Sequence, residues 1–524
     1  MEGSQPVSAA EAATASAAPL RQAVLAGGFL GRAGAAAADA LASFLVERPG
    51  SALRMWFGDA GIAALLAHDG TRRGRAEGFQ RLEEAVDRDL ATIDRMVSEQ
   101  LDATLRQDRL RRLEGSWRGL HWLAGRLPAG NRCKVKLLSL RWSEACRDFE
   151  RAVEFDQSQL FRKIYEDEFG TPGGEPYGLL CGDWELRPFP GPGSSTDDVA
   201  GLDALSGIAA AAFSPTVVAA HPVLFGLDTW QELGPAIDPT EPMRGPDRRR
   251  WRSMQEREDT RFLGVLLPRA LARPPWPDDG ARADRFRYRP DLGQPGARAW
   301  MSAVYPLAAV TIRAFATYGW PADIRGAMVG HTAAGGVVDG LPQERFASDP
   351  PGAPGRPPVE VSLTDEQERQ VVEAGLMPLI GLEGLPEAAF AAAPSLHRPP
   401  RMTGDGANAN QRLSAQFNAV LCVSRFAHCV KMLGRDMVGS FKTPQDIERK
   451  LQTWLMQYTS ATSGAVGESG ARQPLRSSKV EVREKPGQPG VFGCTILMQP
   501  HFQLDEVGAA FRLVTDLSAP RAAA

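Results

Sequence analysis

Lysine is nearly missing from this chain. Eight lysines stand against 52 arginines in 524 residues, and acids offset them to a formal net charge of −3. No basic footprint for nucleic acid is therefore evident at the level of the whole chain. The arginine excess has two open readings: a GC-rich coding bias, or a surface that makes bidentate contacts with partner carboxylates. Cysteine is scarce as well. The six cysteines, at 133, 146, 181, 422, 429 and 494, include no CxxC, and none has zinc-finger spacing to a histidine pair. Reduced, mostly buried thiols of a cytosolic protein are expected. None of the seven histidines has a second histidine at ligand spacing, and HExxH, GxSxG and GxxxxGK[ST] are all absent. Glu2 and Glu11 sit where a secretory leader would be basic. Long apolar runs are wanting too. In the longest, "GIAAAAFSPTVVAAHPVLFGL" (207–227), Pro215, His221 and Pro222 intervene, so a buried helix and loop are expected in place of a membrane span.

What is present is ordinary globular composition, 43% apolar and 23% charged, in a chain long enough for two to four domains. Residues 1–75 are rich in Ala and Gly and weakly periodic. Order becomes strong near Arg81, where Leu82, Val86, Leu90, Ile93, Val97, Leu101 and Leu105 make one face of a long helix. Leu110, Leu113, Trp117 and Leu120 mark a second helix, and "CKVKLLSL" (133–140) alternates like a strand. Proline and glycine clusters at 186–196, 233–247, 272–280 and 349–358 read as loops, and 400–411 as a linker. Thr443, Pro444 and Asp446 announce a capped helix whose apolar face is Ile447, Leu451, Trp454, Leu455 and Tyr458. The tail reads as a β-meander of 479–484, 491–499 and 509–517. In its last strand Phe511, Leu513 and Thr515 are expected on one face, opposite Ala510, Arg512, Val514 and Asp516. No internal repeat is visible.

The one stretch that could suggest an enzyme is "EFGTPGGEPYGLLCGDWEL" (168–186), with its five glycines. A phosphate loop runs strand, glycine loop, helix, so that backbone N–H groups at the helix start converge on the anion. Here the order is reversed: helical spacing precedes the glycines and strand character follows. Gly170, Gly173 and Gly174 are thus expected to end a helix and turn into a strand. An anion- or nucleotide-binding enzyme using the 170–174 loop is the rival reading. The acid pairs Asp167–Glu168 and Glu258–Asp259 read as solvated faces. Arg425, His428 and Lys431 follow at i, i+3 and i+6, a structural or interface network. Segment 246–262 mixes six arginines with four acids, which favours a salt-bridged interface over nucleic acid.

Several long stretches are similar, in the same order, to one known family. They are "LEGSWRGLHWL" (113–123), "FDQSQLFRKIYEDEFGTPGGEPYGLLCGDWEL" (155–186), "WRSMQEREDTRFLGVLLPRALAR" (251–273), "WMSAVYPLAAVTIRAFATYGW" (300–320), "GGVVDGLP" (335–342), "SRFAHCVKMLGRDMVGSF" (424–441) and "PGVFGCTILMQPHFQLDEVGAAFRLV" (489–514). Together they resemble the large subunit of the contractile sheath of bacterial type VI secretion systems, the TssC/VipB/EvpB family. Phe213 stands where that family commonly has His, and Cys429 where Tyr is common.

The resemblance implies an α/β (α+β), contractile-tail-sheath-like fold, with mixed sheets flanked by helices and extended N- and C-terminal arms. It implies an N-terminal arm at 1–75, partly helical or disordered, a main sheath domain at 76–400, and a C-terminal sheath domain at 401–524. It implies a structural, non-enzymatic, cytoplasmic protein without cofactor, metal, nucleic acid or membrane insertion. The expected partners are the small sheath subunit TssB, further copies in a helical tube, the Hcp inner tube, baseplate components and the AAA+ unfoldase ClpV. In some members an N-terminal helix binds that unfoldase, and Leu20–Leu30 is its counterpart here. A sheath paralogue of another contractile injection machine is the alternative. Candidate subunit-interface residues are Arg252, Arg257, Arg425, His428, Lys431, Phe511, Leu513 and Val514.

Overall fold

The computed structural model describes residues 19–517 except 31–34, 131–132, 172, 192, 277–285, 289, 295, 328–333, 347, 401–407, 409–410, 412–413, 438–442, 461–471, 485–491 and 501–510. For residues 19, 30, 35–38, 436–437, 492, 500 and 511–517 it describes the backbone alone. Two compact units emerge, one of residues 1–110 with 275–297, the other of 111–274 with 298–524.

The first unit is helical. α1 (Pro19–Leu25), α2 (Ala35–Leu45), α3 (Pro49–Leu66) and the long α4 (Arg72–Leu105) share a small core of Leu20, Val24, Trp56, Phe57 and Ala85. A buried carboxylate organises it. Asp89 on α4 accepts both arms of the Arg21 guanidinium, at 2.6 and 2.9 Å, and the Trp56 indole N–H at 2.8 Å. A paired, fully hydrogen-bonded charge is tolerated inside where a lone one is not. Thr71 caps α4 by accepting from the Gly74 N–H, so the helix begins nine residues ahead of Arg81.

The second unit begins on α5 (Asp108–Ala124) and continues through α6 (Trp142–Arg151), a helical stretch over 159–169 and α7 (Asp198–Ala212). Farther on come α8 (Arg249–Gln255), α9 (Val304–Tyr318), α10 (Asp365–Glu373), α11 (Phe417–Met437) and α12 (Pro444–Met456). Its longer early strands are β1 (Leu180–Leu186), β2 (Thr216–Ala220) and β3 (Leu263–Leu267). Two-residue strands follow: β4 (Ala270–Leu271), β5 (Trp300–Met301), β6 (Val337–Val338), β7 (Met377–Pro378), β8 (Ile380–Gly381) and β9 (Ala388–Ala389). Near the C-terminus lie β10 (Leu475–Glu484), β11 (Phe492–Pro500) and β12 (Phe511–Leu517).

The main sheet runs β1-β2-β3-β7, and every pair in it is parallel. Side chains alternate between its two faces, as strand geometry requires. Val218, Val265 and Leu267 meet Leu202, Leu205 and Ile208 of α7, while Val217 and Leu266 meet Val304, Leu307 and Val310 of α9. All five residues of β2 are buried. This corrects the expectation of helix and loop over 207–227: the end of α7 leads into a central parallel strand, and a short 3-10 turn (Pro222–Phe225) follows. A strand covered on both faces is continuously apolar, so its period is lost. Phe213 makes the turn between them in a left-handed conformation, φ 51°.

Two further expectations are corrected. Leu113 and Trp117 of α5 do not face the core; both are more than half exposed. The buried side is Gly115, Gly119 and Leu123. A Cβ at Gly115 would lie 2.1 Å from the Trp300 carbonyl oxygen, and one at Gly119 would lie 2.4 Å from the Tyr305 ring. The helix approaches its neighbours through missing side chains, which an apolar count cannot register. Residues 134–140 form no strand, for no described segment of the chain pairs with them.

The C-terminal part packs α11 and α12 on an antiparallel meander, β10-β11-β12. Its core includes Phe426, Val430, Ile447, Leu451, Leu455, Val480, Val482, Cys494 and Ile496. Thr443 and Asp446 close a reciprocal capping box at the start of α12. The linker at 400–411 lies almost wholly outside the described residues.

Candidate subunit interface

The glycine stretch resolves first. Helical residues 159–169, with a π turn at Arg162–Glu166, lead into Gly170, and β1 starts at Leu180. Among the described residues, what leads into the loop is helical and not a strand. Gly173 takes φ 80°, and Gly174 lies so close to the Glu168 carbonyl that a Cβ would sit 1.6 Å from its oxygen. The nearby cations are already engaged. Lys136 pairs with Glu168, which also accepts from the Tyr177 hydroxyl at 3.1 Å, and Lys134 donates to Glu175 at 2.8 Å. An arriving phosphate would meet carboxylates where a phosphate loop offers free amides and a lysine.

Arg425, His428 and Lys431 on α11 turn inward. The His428 ring is fully buried; its Nε2–H donates to the Ala212 carbonyl at 3.0 Å, and its Nδ1 has no partner. Burial first, then the nearby Arg425 and Lys431 charges, push its pKa down to about 4. It is neutral at physiological pH and is not poised for acid–base work. Lys431 donates to the Tyr165 hydroxyl at 3.0 Å, and its ammonium faces the Tyr165, Phe169 and Phe213 rings at 5.1, 5.7 and 4.9 Å. Arg425 lies 5.6 Å from the Phe315 ring centroid.

The arginine-rich segment is likewise used within the chain. Arg252 donates to the Met243 and Gly245 carbonyls at 2.8 and 2.7 Å, and Arg257 pairs with Asp203 at 2.6 Å. Arg250 reaches Asp197 at 2.7 Å, and Arg248 is buried over the Phe189 ring. Phe511, Leu513 and Val514 stand opposite Met498, Ile496 and Thr495 of β11. β12 is an outer strand of its sheet, as is β10, and the side chains of β12 lie outside the described residues.

Two features escaped sequence reasoning. Arg269, just past β3, pairs with Glu360 at 2.6 Å and with Glu185 of β1 at 3.6 Å, and Glu360 is almost completely buried. These residues are 84 to 175 positions apart in sequence, so no local pattern joins them. The other is a set of exposed apolar side chains: Leu113 and Trp117 on α5, Val135, Leu137 and Leu138 between α5 and α6, and Val153 and Phe155 after α6. The apolar spacing of the first five was visible; their exposure was not. Large exposed hydrophobic groups are where association surfaces are sought. Among the described residues there is no cluster of side chains able to hold a metal ion, and no helix is long and apolar enough to cross a membrane.

Comparison with known proteins fits a surface that associates. Residues 87–397 match the family model described as EvpB/VC_A0108, tail sheath N-terminal domain, and residues 406–517 the tail sheath gpW/gp25-like domain of the same family. The chain is 33% identical over 442 residues to the type VI secretion system sheath protein TssC1 of Pseudomonas aeruginosa, covering 83% of this chain and 86% of that protein. A solved sheath tail protein of Desulfitobacterium hafniense aligns at 9% identity and a TM-score of 0.28, over 58% of this chain and about half (49%) of that protein. The ordered match of both sheath domains, together with identity over most of the chain, places this protein in the EvpB/VC_A0108 tail sheath family, the structural large sheath subunits of type VI secretion systems.

Proposed function

We propose that this chain is the large subunit of a contractile sheath that pairs with a small sheath subunit, TssB, and polymerises in the bacterial cytoplasm into a helical tube around an Hcp inner tube. Contraction of the tube, anchored on baseplate components, drives the inner tube and its spike into a target cell, and the AAA+ unfoldase ClpV recycles the spent sheath. The observation that carries the reading is the match of both sheath domains, in order, over residues 87–397 and 406–517.

The physics of contraction supports it. Subunits that rotate and slide must stay linked, and strand pairing between neighbours survives rigid-body motion because backbone hydrogen bonds move with the strands. β12, an outer strand, suits that linking role, with Phe511, Leu513 and Val514 as its contact residues. Arg257, about half exposed in its ion pair, is the better placed of the two candidates in the arginine-rich segment. In this reading residues 1–75 act as the N-terminal segment, with Leu20–Leu30 meeting the unfoldase, 76–400 as the main sheath domain and 401–524 as the C-terminal sheath domain.

Co-expression with the neighbouring small sheath gene tests the proposal. A stoichiometric complex and hollow tubules by electron microscopy are expected. A monodisperse monomer that ignores the small subunit overturns it, and tubules formed only with the small subunit of a different contractile machine would reassign the chain to that machine.

A further inference from the structure

β10 and β12 are the two outer strands of the C-terminal meander, yet β10 does not present a bare edge. Side chains of α12 meet the backbone groups that point away from β11. Gln452 accepts from the Val480 N–H at 2.9 Å and donates to the Ser478 carbonyl at 3.1 Å. Glu448, one turn earlier on the helix, accepts from the Val482 N–H at 3.1 Å. At the start of the strand the main chain does the same. The Leu475 N–H donates to the Tyr458 carbonyl at 3.1 Å, and the Leu475 carbonyl accepts from the Ser460 N–H at 2.9 Å, which makes a parallel bridge. The cover therefore runs along β10 from Leu475 to Val482. Gln452 continues the pattern of that bridge. In a parallel pair, one residue bonds to two residues of its neighbour that lie two positions apart. The Gln452 carboxamide bonds in this way to Ser478 and Val480, so it sits where a residue of an added parallel strand would have to be.

We infer that Glu448 and Gln452 are an edge seal. They occupy the hydrogen-bonding groups of β10, so that a strand from another chain cannot add there and strand addition at this sheet is confined to its β12 side. The inference concerns β10 and goes beyond the proposed function, which gives a linking role to β12 alone. The two residues stand at i and i+4 and so share one side of the helix. Ile447, Leu451 and Leu455 already pack α12 into the core, so the polar pair is not needed to hold the helix in place. Its hydrogen bonds go to the backbone groups a visiting strand would use. Glu448 also places a charge at the edge, a further obstacle to an incoming strand. A sheet open on both sides can chain to copies of itself, β12 of one on β10 of the next, in a head-to-tail contact that does not close. A seal on one side breaks that chain and leaves the other side usable.

Q452A and Q452K test the seal in the full chain, expressed with the small sheath subunit. Both lose the acceptor for Val480, so in the soluble fraction of each that amide should exchange about tenfold faster than in the wild type. Q452A leaves an uncharged gap, whereas Q452K keeps the edge charged. Q452A should therefore raise severalfold the fraction that pellets as β-sheet aggregate, and E448A/Q452A should raise it further. Q452K should stay at the wild-type level. E448Q keeps an acceptor for Val482 and should match the wild type in both measurements. Equal aggregation of Q452A and Q452K would trace the effect to lost stability and overturn the seal. Wild-type solubility of E448A/Q452A would overturn it as well, as would an unchanged Val480 amide in Q452A. The comparison needs neither tubules nor a bound small subunit, so failure of that pairing sinks the proposed function and leaves the seal to be judged by these variants.

Discussion

Lys431 donates to the Tyr165 hydroxyl at 3.0 Å while its ammonium is faced by three aromatic rings, and no described carboxylate pairs with it. A cation in this position is held by ring quadrupoles and one hydrogen bond, together worth about 1–2 kcal/mol when partly desolvated. Lys431→Met should lower the unfolding free energy of the purified complex by about that amount, and Lys431→Glu by more, since an anion would face the negative ring faces. Lys431→Arg should be nearly neutral. Denaturant titration of the three variants checks the order; equal stability of the Lys and Glu forms would contradict the account.

His428 makes stability depend on pH. Its folded pKa, about 4, lies below the ordinary 6.5, so between these values the unfolded chain binds the extra proton. The stabilisation is complete above pH 6.5 and is lost as pH falls toward 4. His221, also pushed down to about 4 by burial and by Arg187, adds in the same window. His428→Gln should flatten the pH profile, so that the gap between wild type and variant closes by roughly 2–3 kcal/mol from pH 7.5 to 4.5. Parallel profiles would show that the imidazole does not titrate with folding.

The Arg269 cluster carries one cation against two carboxylates, Glu360 and Glu185. Arg269→Met leaves Glu360 buried without its partner and should cost about 3–5 kcal/mol. R269M/E360Q should recover part of that loss, because the second change removes the stranded charge. Thermal unfolding of both forms checks the coupling; strict additivity would mean the pair is not linked.

Deleting residues 508–524 removes β12 but leaves β10 paired to β11, with Cys494 and Ile496 still in the core. The truncated chain should fold and bind the small subunit, yet form no long tubules. Circular dichroism and electron microscopy separate the outcomes: full-length tubules would refute the linking role, and loss of folding would assign the strand to the subunit's own core.

The legible parts were those with a local cause. The capped start of α12 was written in Thr443, Pro444 and Asp446, and the meander in short apolar runs broken by the 485–490 turn. The turn after residue 170 followed from its glycines. What stayed hidden depends on partners far along the chain. β2 reads like its flanking helix because both its faces are covered. Residues 134–140 have the pattern of a strand and no described mate. Among the candidate interface residues, His428 and Arg252 spend their hydrogen bonds on Ala212, Met243 and Gly245, groups 7 to 216 positions away. The helices of 19–66 were hard to see because alanines and glycines blur their apolar period, and because the Arg21–Asp89 pair that joins α1 to α4 spans 68 positions.

Alanine is usually the most forgiving replacement for a helical glycine, worth about 1 kcal/mol of gain. At Gly115 and Gly119 the added methyl would instead collide with the Trp300 carbonyl and the Tyr305 ring. A stabilising instinct applied to α5 would thus pry it away from β5 and α9. In a library of variants these two sites should be the least forgiving of the helix, while the far larger Leu113 and Trp117 beside them tolerate exchange in the isolated fold and answer only to whatever binds there.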